Sequence, residues 1–483
     1  MTTRIHASEP KRLLFNAFSM NCVSHIQHGL WGRADTRQTE YTSLDAWLEL
    51  AKILEAGCFD ALFLADVVGV YDNYRGGPET SIREAMQIPV NDPTMLIPAM
   101  ATVTEHLGFA FTGSILAEHP FNFARKVSTL DHLTKGRIAW NIVTSYLPSA
   151  AQNLGFADLP AHDDRYDRAD DYLEVLYKLW EASWEDDAVV KRPGCYADPA
   201  KVHRINHVGP YYQVPGPHLS EPSPQRTPVL FQAGSSDRGR EFAARHAECV
   251  FLTGSRNSLA VTVADTRARA AAYGRQAGDV KFFVALSPIV GGTEAEAKAK
   301  EADIRSELSI EGGLAHMSGS VGADLGVLDP DRPIADFDFN SMTGILKAFA
   351  ESAPDKTWTF GDLARRQMSG QFMTGTPEQL ADRIEALAVA GADGFNLVYS
   401  STPGTFVDFI EGVAPVLRQR GLMQTEYRPG TLRDKLLGSA RLPDRHPGRQ
   451  VALRSRQIAR QVRQDADLAA SQASGQADAG YQA

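Results

Sequence analysis

Four groups of residues have the types and spacing to do chemistry. Residues 16–31 (NAFSMNCVSHIQHGLW) carry His25, His28 and Trp31 directly after an apolar run. Imidazoles there can serve as hydrogen-bonding or proton-carrying groups; the plainer alternative is that both cap loop backbone. The run ending Leu62-Phe-Leu-Ala-Asp66 leaves a carboxylate at the end of an apolar segment. It must be solvated, paired or hydrogen-bonded. Residues 140–146 (WNIVTSY) gather Asn141, Thr144, Ser145 and Tyr146. These neutral groups offer both hydrogen-bond polarities, which suits an uncharged heteroaromatic ring better than acid–base catalysis. The fourth group pairs 162–170 (HDDRYDRAD) with 232–239 (QAGSSDRG). Small residues and hydroxyls opening a helix make an anion site, with phosphate the natural occupant and Tyr166 a further donor.

The elements that must position these groups alternate along the chain. Strand-like runs occur at Leu13–Phe18, Asp60–Ala65, Gly108–Thr112, Ile138–Val143, Val229–Ala233, Cys249–Thr253, Phe282–Val290 and Gly394–Val398. They are continuously apolar rather than alternating, as strands buried on both faces are. Between them Leu44–Glu55, Tyr172–Leu179 and Leu380–Ala388 step at three and four residues. Thr376-Pro377 supplies the last of these with an N-cap and a first-turn proline. The pattern predicts an α/β TIM (β/α)8 barrel over residues 12–438, with large insertions at about 147–228 and 291–375. All four groups then fall at the rim where barrel active sites form.

Composition narrows the function classes. The 483 residues are 43% hydrophobic and 22% charged, enough apolar surface to exclude disorder over most of the length. A net charge of −10 argues against nucleic acid as a partner. The segment 439–483 carries seven Arg against four Asp and ends in Ala, Gln, Ser and Gly. It reads as a flexible or subunit-contacting tail. Cys22, Cys58, Cys195 and Cys249 have no CxxC spacing, so neither a disulfide framework nor a metal site is expected. No stretch approaches the ~18 apolar residues of a membrane span, and the expected location is cytoplasmic. GxGxxG, GxxxxGK[ST], HExxH and GxSxG are absent, which weighs against Rossmann, P-loop, zincin and α/β-hydrolase chemistry. A barrel with a neutral polar wall and a phosphate site fits flavin mononucleotide.

At these positions the chain resembles the bacterial-luciferase-like flavin monooxygenases. The resemblance is carried by Asn16–Trp31, Lys52–Tyr71, Ile88–Pro93, Ser128–Ser145, His162–Trp180, Glu221–Ala233 and Asp393–Phe409. It points to the branch with nitrilotriacetate and dibenzothiophene-sulfone monooxygenases, nearest to long-chain alkane monooxygenase. It implies a two-component enzyme, a homodimer or homotetramer, to which a separate NAD(P)H:flavin reductase supplies FMNH2. O2 is co-substrate, adding at the flavin C4a to give a (hydro)peroxide that oxidises a small apolar substrate: a halogenated aromatic, an organosulfur compound or an alkane. A deazaflavin-dependent oxidoreductase and a non-catalytic flavin-binding protein are the alternatives on the same barrel.

The resemblance also assigns residues. Asp66 and Asn141 lie against the flavin ring, and Thr112, Ser114, Val143 and Ser145 line it. Tyr166, Gly234, Ser235 and Ser236 hold the phosphate. Cys22, His25, Tyr71, Gln87 and His316 line the substrate pocket, with His316 on a lid in the second insertion. Tyr146 stands where the alkane enzyme has a histidine and joins the catalytic set as a neutral hydrogen-bond donor. Gly113 and Ala117 are expected to widen or dry the pocket.

Overall fold

The computed structural model describes residues 12–234, 236–252, 256–333, 357–458, 461 and 464. Eight parallel strands close on themselves: β1 (Leu14–Met20), β2 (Ala61–Ala65), β3 (Gly108–Ser114), β4 (Ile138–Val143), β5 (Val229–Gln232), β6 (Cys249–Leu252), β7 (Lys281–Val290) and β8 (Gly394–Val398). Each pairs with the next, and β8 returns to β1 with Asn16 opposite Asn396. The predicted TIM barrel is thus observed, every strand falling on its expected run. β7 is long enough to pair at its C-terminal end with one further short strand, Phe372–Gly375.

Side chains alternate across the barrel wall. Phe18, Phe63, Phe231 and Phe283 point inward with Leu14, Ala110, Ala139 and Val398 and fill the interior. Phe63 meets Phe18 at 5.2 Å and Phe231 at 5.3 Å, both edge-on. Phe15, Leu62, Phe109, Phe111 and Trp140 face outward onto helices such as α1 (Leu44–Ala56) and α2 (Pro120–Leu133). At the floor, Arg433 forms a buried ion pair with Glu248 at 2.8 Å.

The first insertion carries α3 (His162–Tyr177) and two small antiparallel strand pairs. After β5 comes α4 (Asp237–His246). The second insertion carries α5 (Ile310–Val321), packed on α6 (Phe360–Ser369) through Leu314, Ala315, Leu363 and Ala364. Tyr71, Tyr74 and Met86 from the loop after β2 join that cluster.

Packing continues past the boundary expected at 438. Leu442, His446 and Ala452 are buried. Arg449 pairs at 3.0 Å with Glu181, whose side chain is 1% exposed. His446 Nε2 lies 3.1 Å from the His246 carbonyl, and Arg456 donates to the Trp184 carbonyl. Where a flexible or subunit-contacting tail is expected, Arg449 and Arg456 thus meet acceptors of the first insertion. Among the described residues no helix is long and apolar enough to cross a membrane.

Candidate active site

Asp66 at the end of β2, Thr112 and Ser114 on β3, Val143 on β4, and the following Ser145 and Tyr146 line one cleft at the C-terminal rim. The cleft opens into a volume of about 500 Å³ bounded by Asp66, Asp92, Glu118 and Lys126. Asn141 stands opposite Thr112 in the strand register and donates Nδ2–H to its Oγ1 at 3.0 Å. Its Oδ1 is buried without a partner, a site that asks for a donor from a bound molecule. The Ser114 and Ser145 hydroxyls meet at 2.7 Å. Burial, and secondarily the charge of Asp92, raise the Asp66 carboxyl to about 7. Gly113 does not act as expected. A Cβ there would meet Trp140 Nε1 at 3.0 Å and Phe123 at 3.3 Å, so its missing side chain makes room for the outer core rather than for a ligand.

Cys22, His25, Tyr71, Gln87 and His316 are brought together beside this cleft. Backbone bridges Cys22–Val90 and Ser24–Met86 tie the loop after β1 to residues 86–90. Gln87 Nε2 donates to the His25 carbonyl at 2.8 Å. That orients the amide so that Oε1 accepts from the Tyr71 hydroxyl at 3.2 Å. The Tyr71 hydroxyl also bonds the Tyr146 hydroxyl. With the Tyr71 proton committed to Gln87, the shared proton comes from Tyr146. Tyr146, a residue 45% exposed, is therefore not the donor expected from its sequence. It offers the cleft lone pairs only. Burial, and then the Asp66 charge, push the Cys22 thiol up, so Cys22 is a neutral wall rather than a nucleophile.

His316 sits on α5 with its ring 5.1 Å from that of Tyr71. Gly319, one turn on, allows this approach: a Cβ there would lie 2.3 Å from the Tyr71 ring. The partner of His316 is His28, a residue that the sequence put in the loop without a role. His28 Nε2 and His316 Nδ1 are 3.0 Å apart, and His28 Nδ1 is 2.8 Å from Ser24 Oγ. Among the described residues neither His25 nor His28 caps loop backbone through its ring; His25 packs edge-on against Phe18 at 4.7 Å. Burial lowers His25 to about 3 and His316 to about 4, and takes His28 well below its ordinary value. All three rings are neutral at pH 7.

The third cluster lies at the N-terminus of α4. Ser236 caps that helix, its Oγ accepting from Gly239 N–H at 3.0 Å, and lies 3.2 Å from His162 Nε2. A Cβ on Gly234 would come within 2.6 Å of the Tyr166 hydroxyl and 2.2 Å of Gln232 Nε2, so only glycine lets these polar groups close around the start of α4. Gln232 Oε1 is buried and unpartnered. The Arg238 guanidinium stands 5.5 Å over the Tyr166 ring. Gln232 faces Ile142 in the β4–β5 register, which places this cluster one strand from the Asn141–Thr112 wall. Ser235 lies outside the described residues. Gln232 and His162 were within the quoted motifs but unassigned; a polar residue ending an apolar strand was the available signal for Gln232.

The profile of the luciferase-like monooxygenases matches residues 20–394. The chain belongs to the luciferase-like monooxygenase family. The long-chain alkane monooxygenase of Geobacillus thermodenitrificans (strain NG80-2) is 52% identical over 458 residues, 94% of this chain and 100% of its own length. A crystal structure of a long-chain alkane monooxygenase superposes with TM-score 0.84 at 51% identity, over 91% of this chain and 99% of that one. The dimethyl-sulfide monooxygenase of Hyphomicrobium sulfonivorans is 48% identical over 91% of this chain and 94% of its own. A riboflavin lyase crystallised with modified FMN and riboflavin superposes with TM-score 0.83 at 40% identity, over 91% and 99% of the two chains. This luciferase-like chain is accordingly a flavin-dependent monooxygenase.

Proposed function

We infer that the chain binds reduced FMN, received from a separate NAD(P)H:flavin reductase, and uses O2 to oxidise a small apolar molecule. One observation carries the reading. A neutral hydrogen-bonding wall with an orphaned Asn141 oxygen lies one strand from a cluster of small and polar residues at a helix N-terminus. The first suits an uncharged ring and the second a phosphate, as the two ends of FMN require. When bound, the reduced flavin supplies the electrons that activate O2.

The chain's own residues bind, orient and keep dry. Asp66, Thr112, Ser114, Asn141, Val143 and Ser145 hold the ring. Tyr166, Gly234, Ser235 and Ser236 hold the phosphate, with Gln232 beside them. Cys22, His25, Tyr71, Gln87, Tyr146 and His316 surround the substrate. The three histidines are neutral and Cys22 is a thiol, so this side presents no fixed charge to an apolar molecule. Relatives named for long-chain alkanes and dimethyl sulfide support a hydrocarbon or an organosulfur compound as substrate, with a halogenated aromatic the third class that the sequence suggests.

The test is turnover of purified protein with an FMN reductase, NADH and O2 against alkanes, alkyl sulfides, sulfones and chlorinated aromatics. An oxygenated product that depends on both reductase and O2 is expected. Consumption of FMNH2 with no oxygenated product from any panel member would overturn the reading.

A further inference from the structure

We propose that Ser24 and His28 act as positioning residues that fix the tautomer of His316, making its free Nε2 a hydrogen-bond donor. The three residues form a chain of two hydrogen bonds: Ser24 Oγ to His28 Nδ1 at 2.8 Å, and His28 Nε2 to His316 Nδ1 at 3.0 Å. Two neutral imidazoles can share only one proton between facing nitrogens, so the chain runs in one direction or the other. Ser24 decides which. Its side chain is fully buried, and His28 Nδ1 is its hydroxyl's only hydrogen-bond partner among the described residues. If Ser24 accepted from His28, its own proton would be buried unpaired, which costs the folded state. Donation avoids that and leaves, among the described residues, only the His316 Nε2–H without a partner; that nitrogen is not among the fully enclosed atoms, so a bound oxygen can accept from it.

The direction then propagates. Ser24 O–H donates to Nδ1 of His28, which must carry its proton on Nε2. That proton is given to His316 Nδ1. His316 consequently carries its own proton on Nε2, the ring nitrogen with no partner among the described residues. A neutral imidazole locked this way gives a hydrogen bond to an oxygen atom and cannot take a proton at Nε2. The reverse tautomer would present a base at the same place. The buried position holds all of this at neutral pH, since ionising either ring is opposed by desolvation. The tautomer follows from geometry alone; its use in oxygenation rests on the function proposed above.

The test is nitrogen NMR on flavin-free protein labelled with 15N-histidine, with His316 assigned by the signals missing from His316→Gln. Wild type should show a pyridine-like Nδ1 and a pyrrole-like Nε2 at His316. Ser24→Ala should mix the two tautomers, moving both signals toward each other, and Ser24→Thr should restore the wild-type pattern. A pyrrole-like Nδ1 at His316 in wild type would overturn the proposal, as would a Ser24→Ala spectrum identical to wild type. Because neither flavin nor O2 is present, this result is independent of the proposed oxygenase activity. In turnover, Ser24→Ala should lower product formed per FMNH2 several-fold, with Ser24→Thr close to wild type. Loss in both variants alike would signal a merely structural role.

Discussion

His28 Nε2 and His316 Nδ1 meet at 3.0 Å although 288 residues of chain separate them. One comes from the loop after the first strand and the other from a helix in the second insertion, so the insertion completes the site rather than decorating it. His316→Ala should therefore reduce the coupling of O2 use to product by at least several-fold, raising hydrogen peroxide release. FMN affinity should stay within about twofold, since His316 is outside the set assigned to the flavin. Parallel assays of product, peroxide and flavin binding check this; unaltered coupling would remove His316 from the site.

Ser236 has two duties, capping α4 and facing the proposed phosphate. Ser236→Ala should cost about 1 kcal/mol of stability through the lost cap. It should also weaken FMN binding by roughly tenfold, the size expected for one hydrogen bond to a charged group. Urea unfolding and an anaerobic FMN titration separate the two effects.

Gly319→Ala places a methyl group 2.3 Å from the Tyr71 ring. Tyr71 must shift, and with it the Tyr146–Tyr71–Gln87 hydrogen bonds. Expected is a loss of stability of about 1–3 kcal/mol from overpacking. A larger fall is expected in coupling than in flavin affinity. Retention of wild-type coupling would show that the tyrosine pair is dispensable.

Asp66 titrates at about 7 in the folded chain against an ordinary value of 3.8. Ionising it burdens the folded state, so its contribution to stability declines as pH rises between those values and is fully lost above the higher one. Asp66→Asn removes the burden. The flavin-free variant should gain on wild type as pH rises from 5 to 8, reaching on the order of 2 kcal/mol. Chemical denaturation at the two pH values reads the difference. A gain that is the same at both would mean that Asp66 is not the titrating group.

The barrel was legible because a strand buried on both faces leaves a mainly apolar run, and all eight runs were of that kind, broken only by isolated polar residues such as Asn16, Asn141 and Asn396. Asp66 and Ser145 were legible for the same reason, as polar residues where such runs end, and Asn141 as a polar residue inside one. The direction of the hydrogen bonds was not. Tyr146 reads as a donor until Gln87, fixed by the His25 carbonyl, dictates where the protons go. Nor was the His28–His316 contact, since nothing local marks a loop histidine as facing a helix from a distant insertion. Gly113 looked like space for a ligand because the sequence does not say that Trp140 fills it.

The arginine-rich segment after residue 438 bears on how the protein is handled. Arg449 is the cation opposite Glu181, and that glutamate stands inside the first insertion, not on its surface. A shortened gene stopping at Gly438 would leave the carboxylate enclosed with, among the described residues, the Thr227 hydrogen bonds and the charge of Arg433 beyond them, a defect of about 3–5 kcal/mol by analogy with other severed buried pairs. Such a product would express as aggregate for reasons unrelated to its chemistry. Purification tags and fusion partners must leave this ion pair intact.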